Sequence, residues 1–335
     1  MNFRKCLAVA CIVNMVGSYA EAISTFTDVN TAVAQVSADS TLLSTWINDQ
    51  FKKGATFNST AGNVVPSQIK LFGFEVGVEG VATASKVDIE GFHNLGTQLI
   101  DTTAIKMYNR MPFPAVLGHA KIGLPFGLDA GIRVGGIPSK TFNNDNTHFE
   151  IANSIFGLDL RKAVIEEGLT RPFGLTMGLN YTHAKGHIGV NTPYTATASN
   201  VVVAGQTYTP SFSATGNERT DWKTDSVGVQ AILHKKILIL NPFLGASVNH
   251  NSGTIQSSIM NVGNLVLTDP NNVNPTITQP LTAGGNSTSS PNKWDLRGLA
   301  GIEISILPFI KLGIEGEVAN QNRIGGSIGL RAQFR

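Results

Sequence analysis

Apolar and polar residues alternate singly along most of the chain after residue 69. In IKLFGFEVGVEGVA (69–82), Phe72, Phe74, Val76 and Val78 share one face, and Glu75, Gly77 and Glu79 share the other. In GLDAGIRVG (127–135), Leu128, Ala130, Ile132 and Val134 oppose Asp129, Gly131 and Arg133. In WDLRGLAGIEISI (294–306), Trp294, Leu296, Ala300, Ile302, Ile304 and Ile306 oppose Asp295, Arg297, Gly301, Glu303 and Ser305. A period of two with one apolar face is the pattern of a β-strand whose faces meet different surroundings. Similar alternation over 115–124, 151–164, 173–184, 223–233, 242–250, 309–318 and 323–334 predicts about ten strands of some ten residues each.

The links between these strands differ in length by turns. Tight links around Pro125, Glu166 to Arg171, His234 to Lys236 and Leu307-Pro308 alternate with longer ones at 83–114, 135–150, 185–222 and 251–292, and a last tight link covers Ala319 to Asn322. Antiparallel strands joined this way have their tight turns at one end and their long connections at the other. The long links, such as TPYTATASN and DPNNVNPTITQPLTAGGNSTSSPN, are rich in small and polar residues and are predicted to be exposed loops.

The N-terminal part follows another rule. MNFRKCLAVACIVNMVGSYAEA has a basic start, an apolar run and Ala20 and Ala22 in an A-x-A arrangement, which predicts a signal peptide at 1–22. Both cysteines, Cys6 and Cys11, lie inside it, so the mature chain carries none. Residues 23–66 form a separate segment: Asp28 to Val36 and Thr41 to Lys53 have helical spacing, and GATFNSTAGN is expected to break it. Lying before the barrel at 67–335, this segment is expected either to plug it or to stay in the periplasm, packed at the periplasmic mouth or partly inserted against Leu71 and Val81.

Charged residues are 14% of the chain, well below the soluble average of about 25%. A net charge of +2 provides no basic footprint for nucleic acid. After the signal, no apolar run is long enough for a membrane helix. A soluble lipocalin-like barrel shares the period of two. Uniformly apolar faces opposite charges of both signs and glycines, links segregated into short and long ends, and aromatics near strand ends point instead to a closed antiparallel β-barrel with lipid outside and charge inside, of about ten to twelve strands with a short N-terminal helical segment.

Parity then assigns Glu75, Glu79, His119, Lys121, Asp129, Arg133, Asp159, Arg161, Asp295, Arg297, Glu303, Lys311, Glu315, Glu317, Arg323 and Arg331 to the lumen. Opposite signs on neighbouring strands, such as Asp295 or Glu303 near Lys311 and Arg331, are placed to pair across the ladder. They either fill the interior or line a water path, and the sequence leaves both open. The dipeptide Pro-Phe recurs, and Phe126, Phe173, Phe243 and Phe309 each follow a tight turn and open a strand. Proline is tolerated at a strand's first residue, and the ring beside it is expected at the membrane boundary, as are Trp294 and Phe334.

Two motifs invite chemistry. GGSIG (325–329) satisfies G-x-S-x-G, but a nucleophile elbow needs a strand turning into a helix, and Ser327 lies inside a predicted strand. His183 and His187, four apart, would share a helix face, yet no helix is predicted there. Neither an enzyme nor a cofactor or metal site is expected.

LGHAKIGLPFGLDAGIRV (117–134), IFGLDLRKAVIEEGLTRPFGLTMGLNYT (155–182) and, more loosely, the last 43 residues carry a resemblance. The chain resembles a family of uncharacterised outer-membrane β-barrels of Gram-negative bacteria. It is more distantly similar to the long-chain fatty-acid and aromatic-hydrocarbon channels, which place an N-terminal plug before a barrel. The resemblance implies an outer-membrane location, lipid as surroundings, and assembly machinery that reads the C-terminal strand, whose Phe334 is followed here by Arg335. The implied function is passive transport of small, hydrophobic solutes. The alternative from a different class is a non-conducting structural or surface-binding protein acting through its long external loops.

Overall fold

A computed structural model describes residues 25–26, 28–62, 66–98, 109–144, 147–168, 170–197, 200–271 and 273–334; the predicted signal peptide lies outside them. The elements in chain order are β1 (Thr25–Phe26), α1 (Val29–Thr60), β2 (Phe74–Lys86), α2 (Ile89–His93), β3 (Arg110–Leu124), β4 (Leu128–Asn144) and β5 (Thr147–Ile165). They continue with β6 (Gly174–Thr197), β7 (Val201–Val203), β8 (Gln206–His234), β9 (Leu240–Thr268), β10 (Ile277–Ser289), β11 (Trp294–Leu307), β12 (Ile310–Ala319) and β13 (Arg323–Phe334).

Antiparallel pairing runs β2-β3-β4-β5-β6-β8-β9-β11-β12-β13, and β13 pairs back onto β2. The chain thus closes a ring of ten strands, a transmembrane β-barrel whose closure satisfies the backbone without leaving an edge in lipid. Its outward residues form an apolar belt: Phe74, Val76 and Val78 on β2, Ile132 and Val134 on β4, Leu158 and Leu160 on β5, and Val227 and Val229 on β8 are all exposed. On β13 the belt extends from Ile324 to Phe334, about the span that a tilted strand needs to cross a bilayer.

Above the belt the structure departs from the expectation of long loops. β6 continues to Thr197, and β8 and β9 have 29 residues each. β8 pairs with β9 from Thr209↔Thr268 to His234↔Phe243, and β10 adds to the far part of β9. The segments 185–222 and 251–292 are therefore largely a tall sheet. Their weak hydrophobic contrast conceals good strand formers: threonine and valine suit a pleated surface, and the ladder itself needs no apolar face.

The helix also differs from expectation. α1 is continuous for 32 residues, capped where the Asp28 side chain accepts from the Thr31 N–H at 2.9 Å. GATFNST does not break it. A β-carbon on Gly54 would stand 2.0 Å from the Phe113 ring, so glycine there serves close packing and not chain reversal. The helix ends at Ala61, beside Gly62 with φ +73°, a left-handed conformation that glycine adopts freely.

α1 lies inside the barrel. Leu43, Trp46, Ile47, Phe51 and Ala55 join Met111 and Phe113 of β3, Phe149 of β5, Ile188 and Val190 of β6, Trp222 of β8 and Ile255 of β9 in one buried cluster. Nearer its N-terminus, Val36 joins Val201 and Val203, Leu265 and Leu267, and Leu281. The helix therefore enters from the tall end. Residues 66–73 emerge at the tight-turn end, where the Phe72 N–H donates to the Gly123 carbonyl at 3.1 Å. Leu71, 52% exposed, gives the helix no cover. Val81 does contact the segment, in a cluster with Ala61.

Candidate functional site

The inward face changes character along the barrel. Towards the tall end it is mixed, with Phe149, Ile188, Val190, Trp222 and Ile255 beside Thr220, Ser257 and Asn261, and it is covered by α1. At the level of the belt it carries the charges that parity assigned. Glu75, Lys121, Asp129, Arg133, Asp159, Arg161, Asp295, Arg297, Glu303, Glu315, Glu317, Arg323 and Arg331 are buried, and Glu79, His119 and Lys311 are partly so on the same face.

These charges form three groups of ion pairs. Arg161 Nε donates to Asp129 Oδ1 at 2.7 Å, Lys121 lies 3.3 Å from Asp159, and Glu75 stands between His119 (3.5 Å) and Arg331 (3.7 Å). Glu303 pairs with Arg331 and, at 3.4 Å, with Lys311. Asp295 does not reach Lys311 or Arg331; it pairs with Arg323 at 2.7 Å and Arg297 at 3.5 Å, and Arg297 pairs with Glu317 at 3.2 Å.

Arginines of the inward face also hold the helix. Arg133 donates to the carbonyls of Ala61 and Ser59, each at 3.0 Å, and Arg323 to that of Lys53 at 3.1 Å. Arg297 donates to Thr60 Oγ1. Arg297 and Arg323 cover the Phe57 ring, 4.5 and 5.3 Å from its centroid. Cationic donors meet the end of a helix where carbonyls lack intrahelical partners and the macrodipole is negative. Farther along α1, Asn48 Nδ2 donates to the carbonyls of Ile255 (3.0 Å) and Ser287 (2.8 Å), and Ser44 to that of Gly285 (3.0 Å). A cavity bounded by Glu79, His119, Phe243, Glu315 and Arg331 has a volume of only about 20 Å³, room for roughly one water.

The aromatic assignments divide. Phe126 (89% exposed), Phe173 and Phe309 face outward at the tight-turn end. There Phe334 stacks on Phe74 at 4.9 Å and on Phe309 at 6.2 Å; Phe74, placed only on the apolar face by parity, completes that group. Trp294 marks the opposite margin of the belt, with the His250 ring 4.7 Å away and Tyr181 on the same register row. Phe243 is a correction. It is 7% exposed and packs inside the ring with Ile232 and Leu299. β9 begins at Leu240, so Pro242 is its third residue, and the period of two turns the next ring inward.

His183 and His187 are on a strand, both facing outward, each with its own acid. His183 Nδ1 lies 2.9 Å from Asp225, to which Tyr181 Oη also donates at 2.6 Å, and His187 Nε2 lies 3.0 Å from Glu150. Hydrogen bonds from His187 and then Ser139 hold the Glu150 carboxyl below its ordinary value. Among the described residues no group is arranged to hold a metal ion. Ser327 lies within β13. One acid escaped the pattern altogether: Glu218 faces inward on β8 between Val190 and Ile259, and burial pushes its carboxyl up to about 7.

Just above the belt, the outward residues Ser154 (β5), Lys185 (β6), Lys223 (β8) and Thr254 (β9) form one register row and line a cavity of about 980 Å³. Sequence reasoning missed this row because two of its members, Lys185 and Thr254, lay in supposed loops and register across strands is not written along any one of them.

A family model described as a family of unknown function, DUF6588, matches residues 90–332. No curated protein matches the sequence. Among solved structures, the chain is similar to the outer-membrane protease OmpT of Escherichia coli (10% identity, 82% of this chain and 100% of that one, TM-score 0.39). It is also similar to the translocator domain of autotransporter NalP from Neisseria meningitidis (8%, 84% and 92%, 0.29) and to the Ralstonia pickettii toluene transporter TbuX (9%, 83% and 92%, 0.26). At these scores and identities the likeness carries no activity, substrate or partner over to this chain.

Proposed function

The chain belongs to the DUF6588 family and folds as a transmembrane β-barrel, and on that premise we propose that it is a closed outer-membrane protein that acts through its tall external wall. In its resting form it conducts nothing. The observation that carries this reading is the occupied lumen: α1 fills the half towards the tall end, and the paired charges and the chain leading to β2 fill the other. Buried ion pairs with one another as partners leave a permeating ion little space. The wall of β6, β8, β9 and β10 supplies a broad surface for a partner.

Planar-bilayer recording of the refolded mature protein tests this. A flat current trace supports a closed barrel, and a steady unit conductance from the intact protein overturns it. A heat-modifiable gel shift first establishes that the barrel has formed, and recovery of the protein in the soluble periplasmic fraction would remove the membrane reading itself.

A gated path for small apolar solutes is the second reading, favoured by one observation. Leu43, Ile47 and Phe51 of α1 cover an apolar inner surface made by Phe149, Ile188, Val190 and Ile255, which an apolar solute would otherwise cover. Deleting residues 23–66 separates the two readings: a gated path predicts new conductance or solute uptake, a permanently closed barrel neither.

A further inference from the structure

We propose that the row Ser154, Lys185, Lys223 and Thr254 binds the phosphorylated headgroup of an outer-leaflet lipid. The argument begins with a repulsion. Lys185 and Lys223 are direct partners across the β6–β8 ladder. Both point outward, since their neighbours Ala184 and Thr224, each 1% exposed, point in. Adjacent strands bring such partners to about 5 Å at the backbone, and like charges directly opposite are destabilising.

The acids nearby are already taken. Asp225 accepts from Tyr181 and His183, Glu150 from His187 and Ser139, and Asp221 from Arg219 through two contacts of 2.8 Å. Among the described residues neither lysine is in an ion pair. Two ammonium groups flanked by two hydroxyls, Ser154 on one side and Thr254 on the other, make a line of donors across four strands, with Asp225 acting on Lys223 only through space. Such a line matches the oxygens of a phosphate.

Position selects the source of that phosphate. The row lies four residues along β6 from Tyr181, which shares the upper aromatic row with His250 and Trp294. Aromatic residues sit at headgroup level, and lysines just beyond them meet the charged surface of the leaflet. The cavity of about 980 Å³ that the row lines also includes Ile137 and Pro138, so it offers apolar wall beside the charges, as an amphipathic lipid requires. A free anion has no use for that wall. The proposal rests on the barrel standing in an outer membrane with its tall end outside, and it is independent of whether the lumen conducts.

Native mass spectrometry of the refolded mature protein in detergent, with diphosphorylated lipid A added, tests it. A one-to-one adduct is expected. K185Q/K223Q should weaken it about thirtyfold, whereas K235Q/K236Q, at the tight-turn end, should leave it unchanged. The gel shift confirms that each variant has formed its barrel, which separates a failed site from a failed membrane reading. Equal binding by K185Q/K223Q, equal binding of dephosphorylated lipid A, or displacement by millimolar inorganic phosphate would each overturn the proposal.

Discussion

Arg133 donates from Nη1 to the carbonyl oxygen of Ala61 across 3.0 Å, so a residue of the barrel wall holds the last turn of the helix within it. Its other nitrogen reaches both Ser59 O and Thr182 Oγ1. Replacing Arg133 with leucine leaves these buried acceptors without a donor. We expect a loss of about 3 kcal/mol in urea unfolding from lipid vesicles. Unchanged stability would show that Arg133 does not hold the helix.

Gly54 and Phe113 occupy one space, since a β-carbon at residue 54 would meet the ring at 2.0 Å. Gly54→Val should therefore cost about 1–3 kcal/mol through overpacking, despite valine's better helix propensity. Adding Phe113→Ala should recover part of that loss, because the two changes share one volume. Strictly additive losses in a double-mutant cycle would place the helix elsewhere.

Glu218 makes stability depend on pH. In the unfolded chain its carboxyl ionises near its ordinary value of 4.5, while burial in the folded chain holds the proton up to about 7. Across that window the folded state binds more protons, so stability falls as pH rises, being fully present below about 4.5 and lost above about 7. The loss amounts to roughly 3 kcal/mol. Glu218→Gln should flatten this dependence and leave the variant more stable than the parent at pH 8, measured by urea midpoints at both ends of the window. A wild-type midpoint that does not move between pH 5 and pH 8 would contradict the assignment.

Phe243 and Phe309 both follow proline, yet only Phe243 is inside the ring. Phe243→Ala should cost about 3–5 kcal/mol by opening a cavity against Ile232 and Leu299. Phe309→Ala, at the lipid boundary, should cost well under half of that. Equal losses would mean that the two rings are equally buried.

Local chemistry by itself determined the strands of the belt, their parity, and the list of charges that face inward. That is possible because a membrane barrel repeats one rule on every strand, lipid on one face and the lumen on the other, and a period of two records it directly. The same rule failed wherever the surroundings changed. Above the belt both faces of the wall are mixed in polarity, so Thr197, Gln206 and Thr268 gave no sign that strands reached them. Phe243 was misplaced because β9 begins at Leu240, two residues before Pro242, so the ring lies within the strand and on its inward face and not at its outer margin. The partners of Asp295, the seat of α1 and the facing of Lys185 by Lys223 were decided only by the tertiary structure. Each depends on register and closure, which bring together residues far apart in the chain, and alternation along one strand holds no information about which residue stands across from it.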